Sequence, residues 1–132
     1  MAKNFLVAFT ILLAAASVSC SKGLRVVLYN NTPVDLVVHA EPDKILANIG
    51  PGESAEFYFQ ESQWIDFGMI AHRYENKGFR WTGFVHEDTV KVQAENDGRL
   101  YLVPFDASFP VKTFPEQPAG FPLVPVKKVD LT

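Results

Sequence analysis

From Leu24 onward the chain sets short apolar runs between clusters of Gly, Pro, Asn and Asp, recurring about every ten residues, which is the signature of successive β-strands joined by turns. The runs are Leu24 to Asn30, Val34 to Glu41, Lys44 to Ile49, Ser54 to Gln60, Trp64 to Tyr74, Phe79 to His86, Thr89 to Ala94 and Arg99 to Pro104. No stretch after Val18 carries a helical period. Turn chemistry separates the runs at Asn30-Asn31-Thr32-Pro33, Glu41-Pro42-Asp43, Gly50-Pro51-Gly52, Asn76-Lys77-Gly78 and Asn96-Asp97-Gly98, where residues supply positive φ or fix φ near −65°. After Ile49-Gly50-Pro51-Gly52-Glu53-Ser54, strict alternation puts Ala55, Phe57 and Phe59 on one face and Glu56, Tyr58 and Gln60 on the other. Val26-Val27-Leu28 and Leu36-Val37-Val38 are instead apolar on both faces, so their strands need cover from a partner, the tail or a membrane surface. The pattern predicts an all-β fold, an antiparallel β-sandwich of about seven or eight strands over residues 24–104. Its turns are similar to those of immunoglobulin-like and transthyretin-like sandwiches, an analogy of fold only.

Residues 105–132 change character. Phe109-Pro110, Phe114-Pro115 and Phe121-Pro122 repeat a dipeptide, with Pro118 and Pro125 added. Proline at that density favours extended backbone and excludes helix or sheet interior, so the expectation is a tail wrapped on its own sandwich with its phenylalanines filling gaps. A second reading is a recognition strap, since Pro115-Glu116-Gln117-Pro118 and Pro122-Leu123-Val124-Pro125 both have PxxP spacing.

The first residues follow a different rule. Lys3, the apolar stretch Phe5 to Ala16 and the small-residue run Ala14-Ala15-Ala16-Ser17-Val18-Ser19 form the three-part pattern of a secretory signal, too short for a spanning helix of about 20 residues. Ala16, Ser17, Val18, Ser19 and Cys20 resemble the lipobox of bacterial lipoproteins, with Ser17 where leucine is usual. That resemblance implies cleavage ahead of Cys20 and a lipid on its thiol. The division expected is therefore 1–19 signal peptide, 20–23 lipid attachment and linker, 24–104 sandwich and 105–132 tail. Ser17 and Ser19 also suit an ordinary signal-peptidase site, with Cys20 incidental. In a eukaryotic secreted protein, Asn30-Asn31-Thr32 would be a glycosylation acceptor weakened by Pro33. Ser21, Lys22 and Gly23 reach about 10 Å when extended, so a lipid at Cys20 would hold the domain against the headgroups.

Composition then removes some functions. Much of the excess in the 48% hydrophobic content lies in the leader. Lys3 is the one charge ahead of Cys20, so 11 of the 12 basic and all 15 acidic side chains follow it, for a net charge of −4. With no basic run longer than Lys127-Lys128, nucleic acid is a poor ligand. A single cysteine excludes an internal disulfide.

Catalytic and metal chemistry find little support. An Asn76-Lys77 hairpin tip would set His72 opposite Trp81 and His86 opposite Phe67, with His39 on another hairpin, which separates the three histidines and predicts no metal site. Ser21, Ser54, Ser62 and Ser108 lie outside any Gly-x-Ser-x-Gly elbow, while Glu61 with Asp66, or Glu87 with Asp88, read as solvated carboxylates. No catalytic residue, cofactor or enzymatic activity is expected. The aromatic content is the more promising signal: Trp64, Tyr74, Phe79, Trp81 and Phe84 interleave with Asp66, His72, Arg73, Arg80 and His86, a composition suited to protein contact. Trp81 is expected buried with Phe79 and Val85, and Trp64 and Arg80 partly exposed.

The expectation is an exported, lipid-anchored module of the bacterial cell envelope, on the periplasmic or outer-membrane side, that binds a protein or serves structurally. Its partner-binding residues would be Trp64, Arg80, Phe84, Phe109, Phe114 and Phe121, with lipidation at Cys20. One alternative is a carbohydrate-binding module using Trp64, Tyr58 and Tyr101 as stacking platforms. Another is a soluble periplasmic or secreted domain with an enzymatic or metal-binding role.

Overall fold

A computed structural model describes residues 24–41, 44–75 and 83–132. Residues 1–23, which hold the expected signal segment and Cys20, and residues 76–82, Phe79, Arg80 and Trp81 among them, lie outside the described residues. The described chain is all-β. It runs β1 (Arg25–Asn31), β2 (Leu36–Glu41), β3 (Lys44–Ile49), β4 (Ser54–Tyr58), β5 (Ser62–Phe67), β6 (Ile70–Glu75), β7 (Thr89–Glu95), β8 (Leu100–Val103) and β9 (Lys127–Asp130). Two sheets pack face to face in a sandwich-like arrangement, one in the order β4-β1-β7-β8 and the other β3-β2-β5-β6-β9. Pairing is antiparallel except that β1 runs parallel to β7, from Arg25 against Thr89 to Asn31 against Glu95.

Alternation decides which side chains enter the core. Val26, Leu28, Phe57, Val90, Val92, Ala94, Leu100 and Leu102 from one sheet meet Leu36, Val38, Ile49, Ile65, Phe67 and Tyr74 from the other. Asn30 is a polar member of this interior and is fully enclosed. Its amide donates to the carbonyls of Val34 and Ile49 at 2.7 and 2.9 Å, and its Oδ1 accepts from the Thr32 main-chain N–H and hydroxyl. Its own N–H donates to Glu53 while its carbonyl accepts from Gly52. One buried asparagine thus ties the β1–β2 turn to the β3–β4 turn, and every polar atom it buries is satisfied. The same burial leaves no room for a glycan on Asn30, against the glycosylation alternative.

The fifth apolar run is not one strand. Phe67-Gly68-Met69-Ile70 is a two-residue hairpin turn with Gly68 at φ 61°, the positive first position of a type II′ turn. Tyr74 therefore faces Gln63 and His72 faces Ile65, which corrects the register expected from an Asn76-Lys77 tip. Of the expected strand from Phe79 to His86, the described part is a turn and an isolated bridge from His86 to Thr89. Val85, expected buried, is 42% exposed.

The tail lies on its own sandwich. It crosses the outer face of the four-stranded sheet: Phe105 tilts against His86, Phe109 stacks on Tyr29 at 4.9 Å and Phe114 on Tyr101 at 4.1 Å. Lys91 donates to the Ala107 carbonyl and lies over the Phe105 and Phe109 rings. Gln93 exchanges hydrogen bonds with the main chain of Val111 in both directions, and Gln117 does the same with Leu102. Leu123 then bonds Leu100, also on the open edge of β8. Beyond Pro125 the chain is free of proline and forms β9, an edge strand that extends the other sheet at β6 and lies outside the sandwich expected over residues 24–104.

Candidate functional site

With one outer face under the tail, the outer face of the five-stranded sheet is where side chains are presented. Register aligns them in two rows across the strands, His39-Trp64-Arg73-Lys127 and Val37-Asp66-Ala71-Val129. His39 Nε2 lies 2.9 Å from Asp66 Oδ1, a diagonal contact between neighbouring strands. The Trp64 indole lies nearly parallel to the imidazole, 13° off with ring centres 6.3 Å apart. Arg73 pairs with Glu75 at 3.4 Å. Because Ala71 and Val129 are short, a shallow hollow of about 300 Å³ opens beside the indole, lined by His39, Trp64, Asp66, Ala71, Val129 and Leu131. It offers a flat ring, an apolar floor and one polar end, the combination that anchors a contact surface.

A second hollow of about 260 Å³ lies at the rim between β6, the β7–β8 turn and β9, lined by Val34, Phe67, Ile70, His72, Asn96, Asp97 and Lys128. His72 is buried there, edge-on to Phe67 at 4.4 Å, with its Nδ1 enclosed and lacking a hydrogen-bond partner. Burial, reinforced by Lys128 and opposed by Asp66, holds its pKa below the ordinary histidine value. Gly98 at φ 85° makes this possible, since a Cβ there would stand 3.3 Å from His72 Nε2. Tyr74 donates its hydroxyl to the Gly98 carbonyl, and burial pushes its pKa up.

Of the six residues expected to meet a partner, Trp64 is on the open face. Phe84 and Phe121 pack against the core, and Phe109 and Phe114 are engaged with Tyr29 and Tyr101; Arg80 and Cys20, where lipidation was expected, lie outside the described residues. Trp64, Tyr58 and Tyr101 form no common platform: Tyr58 is on the edge strand of the other sheet under Arg25, and the Tyr101 ring faces Phe114. The histidines occupy three separate settings, and among the described residues no group of three or more His, Cys, Asp or Glu is placed to hold a metal ion. Glu87 and Asp88 are exposed and make the tight turn from His86 to Thr89 with φ of 51° and 62°, while Glu61 is exposed ahead of β5. No helix of the described residues is long and apolar enough to cross a membrane.

His39, Ala71, Val129 and Leu131 were absent from the expected contact set. Ala71 and His39 carry the period-2 signal that aligns them with Trp64 and Asp66, but only the hairpin at Gly68 brings them together, and Val129 and Leu131 arrive with a strand the proline content concealed. Comparison with protein-family models, curated proteins and solved structures finds no match to this chain.

Proposed function

We propose that this protein is an exported module, lipid-anchored at Cys20, that binds a protein partner in the bacterial cell envelope through the outer face of its five-stranded sheet. The observation that carries the reading is the asymmetry between the two outer faces. One is covered by the chain's own tail through ring stacks and amide bonds; the other presents Trp64, His39 and Asp66 around a hollow. An aromatic ring beside a polar pair and an apolar floor suits a protein surface, where Trp is enriched among the residues that dominate binding. The reading assigns no catalysis. Immunoglobulin-like or transthyretin-like kinship belongs to it as a proposal of fold and carries no function.

Co-isolation of envelope proteins with the wild type, Trp64→Ala and Asp66→Asn tests the reading. Partner recovery should fall at least tenfold for Trp64→Ala, as expected for a central aromatic anchor worth ~2 kcal/mol, with the circular dichroism spectrum unchanged. Equal recovery by all three would overturn it.

A further inference from the structure

The outer edge of β9 is self-complementary. Among the sheet edges described, that of β8 is filled by Gln117 and Leu123, and β3 is irregular, opposite register shifts between Val38 and His39 and between His39 and Glu41. β4 paired with itself about its centre would set Glu56 against Glu56 of the second copy. Among the described residues nothing covers the outer edge of β9, and its register is regular from Lys127 to Asp130: it ends the five-stranded sheet with Lys127, Lys128 and Asp130 exposed.

Its hydrogen-bonding direction follows from the ladder. The Leu131 N–H donates to Met69, and Val129 and Lys127 continue that register against Ala71 and Arg73. Alternation in an antiparallel pair therefore turns the N–H and C=O of Lys128 and Asp130 away from β6. A second β9 laid antiparallel with Val129 on the two-fold axis would place Lys128 opposite Asp130 of the second copy, and Asp130 opposite its Lys128. Each such pair exchanges main-chain hydrogen bonds and matches opposite charges on one face of the sheet. Sliding the copy by one pair in either direction sets Lys128 against Lys128 or Asp130 against Asp130, so charge selects a single register. Asp130 is ready for this role, since the Thr132 N–H and hydroxyl both bond its Oδ1; Lys128 makes no ion pair among the described residues. Lysine on an edge strand ordinarily discourages edge pairing, but here a carboxylate two residues on answers it.

We propose that two copies of this chain associate through β9 in that register, joining their five-stranded sheets into one. Val129, which lines the hollow beside Trp64, then meets Val129 of the second copy at the axis, Leu131 comes opposite its Lys127, and the two hollows lie on the same face of the joined sheet. The proposal is independent of the envelope-partner reading; either can fail without the other.

Light scattering on the purified Cys20→Ser protein, in which no lipid or native thiol joins copies, is the test. The expected mass is that of two chains, returning to one on dilution or in high salt, where exposed charge pairs are screened. Lys128→Asp should give a single chain at the same concentration, and Lys128→Asp combined with Asp130→Lys should restore the doubled mass. Val129→Cys in the Cys20→Ser protein checks the register separately. At the axis the pair is of the non-hydrogen-bonded type, with Cα atoms about 4.5 Å apart, inside the disulfide range of about 4.4–6.8 Å, so mild oxidation should link most chains in pairs. A single-chain mass up to millimolar concentration, failure of the charge swap to restore the dimer, or no link at Val129→Cys would overturn the proposal.

Discussion

Gln93 and Gln117 each use a side-chain amide as a short piece of β-strand, giving a donor and an acceptor to the main chain of Val111 and Leu102. The two sites differ in how far water can replace the amide. Gln93 is fully enclosed, so Gln93→Ala strands two main-chain groups under the tail and should cost about 3 kcal/mol, each unsatisfied group contributing roughly 1–3 kcal/mol. Gln117 is only half-buried on the edge of β8, so Gln117→Ala lets water into the place of the amide and should cost about 1 kcal/mol. Urea unfolding of both variants checks the order. His72 sets a pH dependence. Its folded pKa is depressed by burial and by Lys128, so as pH falls below about 6.5 the unfolded chain takes up the proton first and stability is lost. The melting temperature should drop between pH 7.5 and pH 5.5 in the wild type, and by a smaller amount in His72→Leu.

At the scale of elements, the strands bounded by polar turns were legible in the sequence. Asn30-Asn31-Thr32-Pro33 and Gly50-Pro51-Gly52 sit where the pattern put them because their residues meet the backbone demands of those turns. The β5–β6 hairpin was not legible, since Gly68-Met69 lies between Phe67 and Ile70 with no polar neighbour to break the run. Positive φ at Gly68 is the whole of its turn signal. Gly68→Ala should therefore cost about 1–2 kcal/mol, from a positive φ that a Cβ resists. The tail was legible as extended and apolar, but its docking depends on Tyr29, Gln93 and Tyr101, which β-pairing aligns in one row across β1, β7 and β8. Removing residues 127–132 should leave a cooperative thermal transition at lower temperature. Removing residues 105–132 should abolish it, because the row loses its cover and β8 its edge partners. Circular dichroism melts distinguish these outcomes, and truncation of the whole tail is then a test of folding rather than of recognition.

At the scale of the molecule, the two outer faces have different fates. The tail leaves β8, crosses the four-stranded sheet and finishes as β9 on the other, so one face is closed by the chain itself. The open face is legible in part: Trp64 and Asp66 alternate on one strand, while the rest of the hollow comes from β2, β6 and β9 and needs the long-range pairing to be known. If the module is tethered, Cys20→Ser should move it from the detergent phase to the aqueous phase in a phase-partition assay, the wild type staying with detergent. Equal aqueous partition of both would remove the tether and leave the proposed recognition face untouched. That face is tested most directly by photo-cross-linking in intact cells, with the photoreactive residue at position 64 in one strain and at position 114 in another. A discrete adduct with a different envelope protein from position 64, absent from position 114 where Phe114 is stacked on Tyr101, is the expected result. No adduct with another protein at position 64, or the same adduct from both positions, would contradict the account.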